Sequence, residues 1–257
     1  MANPIVFFDL DGTLLNDNKE IPNSAITAIK KLKEKGVFVA FATGRAPYMF
    51  HEIRNELEID SFVSFNGQYV VHKNKVIFKN PLNSEELDKI SLFALESGIP
   101  VAFMTHEQTK ANMEYHPHME ESLSSLKHYL PPFDPEFHLN NEIFQSLLFV
   151  SKENEHLFIN NYKDFNFIRW HDYSVDIVPS GGSKAKGIEK IIENLDASID
   201  EVFAFGDGLN DIEMLKTVGT GIAMGNAHDS LKSIAKHVTN HVNEDGIYNG
   251  LKYFNLI

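Results

Sequence analysis

The chain has 257 residues, 43% hydrophobic and 23% charged, enough apolar material for one large domain or two small ones with ample core. A formal net charge of -13 argues against a surface for nucleic acid or anionic membrane, and the absence of cysteine excludes disulfides, thiolate metal ligands and a cysteine nucleophile. No apolar run approaches the ~20 residues that span a bilayer, and Met1-Ala-Asn-Pro4 lacks the basic start of a secretory signal, so the expectation is a cytoplasmic globular protein with no obligate protein partner.

The first predicted strand, Ile5-Val-Phe-Phe8, is β-branched and aromatic and reads as core. It runs into Asp9-Leu-Asp-Gly-Thr-Leu14, two carboxylates at a strand end, where α/β sheets usually bind ligands. If the extended geometry persisted, Asp9 and Asp11 would point to one side, with Gly12 free to turn the chain. An EF-hand would also put acids at Asp9, Asp11 and Glu20, but it needs glycine where Leu14 stands and a helix before the loop.

Pro22 and Asn23 or Ser24 then start a helix carrying Ile26, Ile29 and Leu32, ending near Gly36. Val37 to Phe41 is a strand followed by Thr43-Gly-Arg45, a second helix runs from about Pro47 to Leu57, and Ser61 to Phe65 is a third strand leading to Asn66-Gly67. Such alternation predicts a parallel sheet with right-handed crossovers and helices on both faces. Tyr69 to Val71 and Val76 to Phe78, around Lys73-Asn-Lys75, read as a hairpin.

From about Leu82 to Gly181 the alternation loosens and seven histidines cluster. A second domain is expected over 82–181, with helices at Glu85 to Glu96 and Glu153 to Tyr162, and strands at Val101 to Met104, Leu147 to Val150 and Phe167 to Trp170. Val175 to Val178 leads back. The parallel pattern resumes with a helix from Lys184 to Leu195, a strand from Val202 to Phe205, a helix from Asp211 to Lys216 and a strand from Gly221 to Met224. The expected fold class is therefore α/β: a discontinuous Rossmann-like core over 1–81 and 182–257, interrupted by an inserted α/β domain.

Phe205-Gly-Asp-Gly-Leu-Asn-Asp211 repeats the logic of the first loop: a strand ends, two glycines relax the backbone, and Asp207 and Asp211 cluster. Two acidic strand-end loops facing one crevice, in a chain without cysteine, suit a hard cation such as Mg²⁺. Asp211 could alternatively cap the following helix, and Thr43 its own. Asn66-Gly67 could be only a turn, and Lys184 an exposed helix-start lysine. The pair His116 and His118 suggests zinc, but the intervening proline and the lack of a well-spaced carboxylate argue against it. Arg169, Trp170 and His171 end a strand of the inserted domain and could contact substrate.

These motifs together resemble the haloacid dehalogenase superfamily, in its Cof-like phosphatase branch with a large C2-type cap. Asp9 to Leu14 is similar to the first family motif, Ala42-Thr-Gly-Arg45 to the second, Lys184 to the third and Gly206 to Asp211 to the fourth. Phe65-Asn-Gly67, Ala223-Met-Gly-Asn-Ala227 and Asn243-Glu-Asp-Gly246 resemble subfamily signatures. The third motif departs in spacing, since Gly187 lies further from Lys184 than usual, which leaves Lys186 as a rival.

The resemblance implies a Mg²⁺-dependent phosphatase of small phosphorylated metabolites, sugar phosphates foremost. Asp9 would attack phosphorus, and Asp11 would serve as general acid and then base, carrying a carboxyl proton when substrate binds. Asp9, the Asp11 carbonyl and Asp207 would hold the metal, with Asp211 completing its shell. Thr43, Gly44, Asn210 and Lys184 would hold the phosphoryl oxygens, and Arg45 would reach the leaving group or pair with an acidic residue. The inserted domain would cap the site and exclude water. Alternatives are a dedicated sugar-phosphate phosphatase or phosphosugar mutase of the same superfamily, or a phosphate-sensing phosphoacceptor protein.

Overall fold

The computed structural model describes residues 4–257. The chain divides into two compact units: one comprises the segment ending at Arg45, Phe50–Phe78 and Ser183–Ile257, the other Ala46–Met49 and Lys79–Gly182.

The first unit opens with strand β1 (Ile5–Phe8), helix α1 (Asn23–Glu34), strand β2 (Phe38–Ala42), helix α2 (His51–Leu57) and strands β3 (Phe62–Ser64), β4 (Tyr69–His72) and β5 (Lys75–Lys79). Helix α1 buries Ala25, Ala28, Ile29 and Leu32, the spacing of one helical face, while Ile26 sits at its margin. The expected helix from Pro47 is split into a 3-10 turn over Pro47–Phe50 and α2. The third strand is shorter than its apolar run, because the Phe65 and Asn66 amides donate to the Arg45 and Thr43 carbonyls instead of continuing the ladder. Both residues take left-handed backbone, at φ 51° and 52°. Lys73 and Asn74, also left-handed at φ 49° and 59°, form the two-residue link of the expected hairpin, whose twist matches its strands.

The second unit carries α3 (Ser84–Glu96), β6 (Val101–Met104), β7 (Thr109–Ala111), α4 (Pro117–Ser125), β8 (Gln145–Leu148), α5 (His156–Ile159), β9 (Phe165–His171) and β10 (Ser174–Pro179). Its five-stranded sheet runs β7-β6-β8-β10-β9, antiparallel at every junction. One face packs Phe103, Leu148, Val175 and Ile177 against Leu87, Ile90 and Ala94 of α3 and Phe158 of α5. Burial at roughly 1.5–3 kcal/mol per large apolar side chain makes this a core in its own right. Expectation and structure part in several places here. Val175 to Val178 belongs to an interior strand of this sheet as well as leading back, and the strand expected over Leu147 to Val150 is β8, two residues earlier, since a continuous apolar run does not mark its own ends. Helix α4 was not anticipated: Pro117 is its first residue, where a missing N–H costs nothing, and His116 Nδ1 accepts the His118 amide N–H at 3.1 Å as its cap.

The chain then returns through α6 (Lys184–Leu195), β11 (Val202–Gly206), α7 (Ile212–Thr217), β12 (Thr220–Ala223), α8 (Asp229–Lys232), β13 (His237–Val238) and α9 (Gly246–Tyr253). The eight-stranded sheet has order β13-β12-β11-β1-β2-β3-β4-β5, parallel from β13 to β3 and antiparallel between β3 and β4. From β1 the chain progresses one way through α1 and from β11 the other way through α7. Right-handed crossovers therefore put those helices on opposite faces, and the β1/β11 junction is the switch point of the sheet. Phe8 stacks on Phe205 across that junction with ring centroids 5.1 Å apart, and Phe41, Phe50 and Phe62 continue the core edge to face at 6.1 and 5.2 Å. No described helix is long and apolar enough to cross a membrane.

Candidate active site

Phe8 is in register with Phe41 on one side and Phe205 on the other, so the loops after β1, β2 and β11 leave the same edge of the sheet side by side. Asp9, Thr43 and Asp207 begin those loops. The Asp9 amide still donates to the Phe205 carbonyl, which fixes its backbone to the sheet. The extended run ends at Leu10, whose carbonyl accepts the amides of Thr13, Leu14 and Leu15. Gly12 makes the turn at φ +76°, and a Cβ there would stand 2.2 Å from Asp207 Oδ2, so only glycine fits.

Lys184 opens helix α6, with Ser183 as its cap, and only 1% of it is exposed. Its Nζ donates to Asp9 Oδ1 at 2.6 Å and to Asp211 Oδ1 at 2.7 Å. Lys186 is exposed, so Lys184 is the lysine at the site. Asp211 Oδ2 accepts the amides of Asp207 and Gly208, both at 3.0 Å, and Asp207 Oδ1 accepts from Thr13 Oγ1 at 2.9 Å. Asp211 thus ties the loop after β11 and orients Lys184; neither of its oxygens is idle.

Carboxylate oxygens of Asp9, Asp207 and Asp211 lie within 4.8 Å of one another. Burial, joined by the charges of Asp211 and Asp207, raises the Asp9 carboxyl well above its ordinary range despite Lys184. Burial and the Asp211 charge likewise push Asp207 up to about 7. The burial penalty on Lys184 is outweighed by Asp211 and Asp9, which hold it above the usual lysine value. One ammonium among three converging carboxylates leaves an excess of negative charge, and an oxygen-only donor set of this kind fits a small hard dication.

Asp11 faces different partners. Arg45 forks onto it, Nε to Oδ2 at 2.7 Å and Nη2 to Oδ1 at 2.6 Å, and Lys19 Nζ reaches Oδ1 at 2.7 Å. Burial alone would raise this carboxyl, but the hydrogen bonds and charge of Arg45, with Lys19, bring it down to about 2. In this arrangement Asp11 is a carboxylate, not the acid that the sequence reading assigns to it once substrate is bound, and Arg45 takes the acidic-partner alternative.

Beside this, Thr43 Oγ1 accepts the Arg45 amide at 3.1 Å, and Asn210 Nδ2 donates to Asn66 Oδ1 at 3.0 Å. Asn66 is buried and stands so close over Gly44 that a Cβ there would meet its amide nitrogen at 3.0 Å. Asn66-Gly67 is therefore more than a turn: it backs the loop after β2 and holds Asn210. Asn226, in the Gly225-Asn-Ala run, donates to the Gly12 carbonyl at 2.7 Å and accepts the Val242 amide at 2.9 Å, bracing the first loop from the C-terminal side. Sequence reasoning missed the parts played by Thr13, Lys19, Asn66 and Asn226. Lys19 had no signal, being one polar residue in Asn16-Asp-Asn-Lys-Glu20.

In the second unit His116 serves its helix, and no group of three potential ligands includes His116 or His118 among the described residues. Arg169 is spent on Glu155, at 2.8 Å, and on the carbonyls of Val150, His171 and Asp172. It is a structural cross-link rather than a free substrate contact.

A family model described as haloacid dehalogenase-like hydrolase matches residues 6–251. The putative phosphatase YkrA of Bacillus subtilis is 44% identical over the whole of both chains. Among solved structures, a hypothetical protein of Geobacillus kaustophilus superposes at a TM-score of 0.95 with 51% identity, covering both chains completely. The subclass IIB sugar phosphatase BT4131 superposes at 0.89 with 30% identity, over 99% of this chain and 100% of that one.

Proposed function

This chain belongs to the haloacid dehalogenase-like hydrolases, in which it is a phosphatase of small phosphorylated metabolites, and we propose that it hydrolyses sugar phosphates through a phosphoryl group carried on Asp9. The observation that carries the reading is the setting of Asp9: a buried carboxylate at a strand end, hydrogen-bonded to a buried lysine and converging with Asp207. The sugar-phosphate preference rests on the likeness to BT4131.

Asp9 and Asp207, with the Asp11 carbonyl, would hold Mg²⁺ directly, and Asp211, its oxygens already engaged, would reach it through water. The ion, when bound, would supply positive charge that lets the Asp9 carboxylate meet a phosphate dianion. Lys184, held on Asp9 and Asp211, adds a fixed cation. Thr43, the Gly44 N–H and Asn210 converge from the neighbouring loops as donors for the remaining oxygens.

An Asp9 oxygen forms a bond to phosphorus as the bond to the bridging oxygen breaks, and the departing alkoxide takes a proton from Asp11. Water then attacks the phosphoryl-aspartate, gives its proton to Asp11 and releases Asp9 with inorganic phosphate. Asp11 begins as a carboxylate clamped by Arg45, so it must gain its proton as substrate enters. An arriving phosphate dianion supplies the reason, drawing Arg45 to itself and adding a negative field that raises the Asp11 carboxyl.

Phosphate release from a panel of sugar phosphates, nucleotides and cofactor phosphates, with Mg²⁺ or EDTA, tests the reading. Mg²⁺-dependent release greatest for sugar phosphates is expected; release confined to another ester class would overturn the substrate assignment. In the first, alcohol-releasing step, followed in a single turnover, Asp11→Asn is expected to slow alkyl phosphates by about 10²-fold or more and p-nitrophenyl phosphate much less, because a good leaving group needs little protonation. Equal slowing of both would remove Asp11 from the acid role.

Metal binding should also depend on pH. Asp207, raised to about 7, and Asp9, raised with it, must lose their protons to bind a cation. Mg²⁺ affinity, read by calorimetry without substrate, should rise as pH passes upward through that region, by roughly tenfold per unit for each proton displaced. A flat affinity between pH 5.5 and about 8.5 would count against these carboxylates as ligands.

A further inference from the structure

Among the cations around the site, Lys19 is the one that neither the phosphoryl chemistry nor the fold requires. Arg45 already satisfies both oxygens of Asp11 with its fork, so the Lys19 ammonium on Oδ1 adds a second charged partner and a third hydrogen bond. Its backbone stands at φ +62°, where a residue with a Cβ seldom sits and glycine would sit freely. The loop is nevertheless built to hold it there. Asn16 Oδ1 accepts the amides of Asn18 and Glu20 at 2.9 and 3.0 Å, the Lys19 amide donates to the Asn16 carbonyl at 2.9 Å, and Asn243 Nδ2 ties Asp17 Oδ2 at 3.0 Å. The Lys19 side chain is only 25% exposed, unlike an ordinary solvated surface lysine. A lysine kept in strained backbone, with its stem largely covered and its head on the acid–base carboxylate, has its use in the side chain.

We propose that Lys19 is the positioning residue for Asp11: when Arg45 turns to the incoming phosphoester, Lys19 keeps its hold on Oδ1 and leaves Oδ2, the oxygen that Arg45 Nε vacates, aimed at the bridging oxygen. The inference rests on the reading of Asp11 as the acid and base of a phosphatase. Without Lys19, Asp11 would lose its remaining anchor at the moment its proton is needed, and misplacement of a reacting group by about 1 Å can cost on the order of 10²-fold in rate. The effect belongs in turnover of esters with poor leaving groups, not in substrate binding.

The test uses Lys19→Gly, which removes the ammonium and relieves the backbone, and Lys19→Arg, which keeps a cation within reach. Glucose 6-phosphate, an alkyl ester, is compared with p-nitrophenyl phosphate, both with Mg²⁺. Lys19→Gly is expected to melt at or above the wild-type temperature, to lose about 10- to 100-fold in the single-turnover rate of alcohol release from the alkyl ester and less than about threefold in that from the aryl ester, with the half-saturating concentration of each within about threefold. Lys19→Arg is expected to recover most of the alkyl-ester rate. Equal loss of the alcohol-release rate on both esters, a change in the half-saturating concentration rather than in that rate, a fall in melting temperature accounting for the loss, or no rescue by arginine would overturn the role. Wild-type protein inactive on every phosphate ester would instead defeat the function on which the inference stands, whereas active wild type with an unimpaired Lys19→Gly would retire only Lys19.

Discussion

Asp9→Asn is expected to abolish phosphate release, by on the order of 10⁴-fold or more in kcat, while the protein melts at an unchanged or higher temperature. The two halves of this expectation come from the same geometry. A carboxamide cannot form the phosphoryl ester, so no neighbouring residue substitutes for the lost nucleophile. Its carbonyl oxygen can still accept the Lys184 hydrogen bond that Asp9 Oδ1 takes at 2.6 Å, so the interior position is not orphaned. The substitution also removes one of three carboxylates crowded within 4.8 Å, which relieves repulsion in the metal-free protein. Phosphate release and thermal melting in EDTA, measured on the same preparation, check both halves. Ordinary turnover would sink the covalent mechanism, and a lost activity accompanied by a lowered melting temperature would assign Asp9 a structural part instead.

How much of this was legible in the sequence depends on whether the signal was periodic or local. Most of the parallel strands could be read because they are short apolar runs closed by a glycine-bearing polar loop, as in Phe8 to Gly12 and Phe205 to Gly208, and the alternation with helices fixes the topology. Asp9, Asp207 and Lys184 were visible for the same reason: they stand where strands end or a helix begins. The second unit resisted because antiparallel strands with a continuous apolar run, such as Leu147 to Val150, do not announce their register, and because Pro117 weakened a chelate in the reading while in fact starting a helix. The C-terminal elements β13 and α9 were missed since a two-residue edge strand and a helix interrupted by Gly250 carry little pattern. Lys19 and Asn66 mark the deeper limit. Their meaning lies in left-handed backbone that turns a side chain toward a partner 8 or 144 residues away, and no composition or period records that.

Removing Lys184 should be the most destabilising single change at the site, and its cost should depend on pH in a defined direction. Lys184→Met keeps the buried stem and deletes only the charge and its bonds to Asp9 and Asp211. At pH 8 in EDTA the variant is expected to lose about 3–5 kcal/mol, the usual consequence of leaving buried carboxylates without their counter-charge. Lys184 is held above its ordinary 10.5, so in the wild type it stays charged from pH 4 to 8 and contributes no slope there. The slope comes from the carboxylates. Asp207 is raised from 3.8 to about 7 on folding, so its contribution to stability is full below about pH 4 and is lost as pH rises through 7; Asp9 moves the same way. Without the ammonium both rise further, and the penalty in Lys184→Met should shrink towards pH 5, where those groups are protonated, and widen towards pH 8. A dication should narrow the gap at pH 8 by supplying charge to the same oxygens. Denaturant titrations at pH 5 and 8, with EDTA or Mg²⁺, check this. A gap of equal size under all four conditions would mean that the lysine contributes packing alone, and that the charge balance drawn for Asp9, Asp207 and Asp211 does not govern the site.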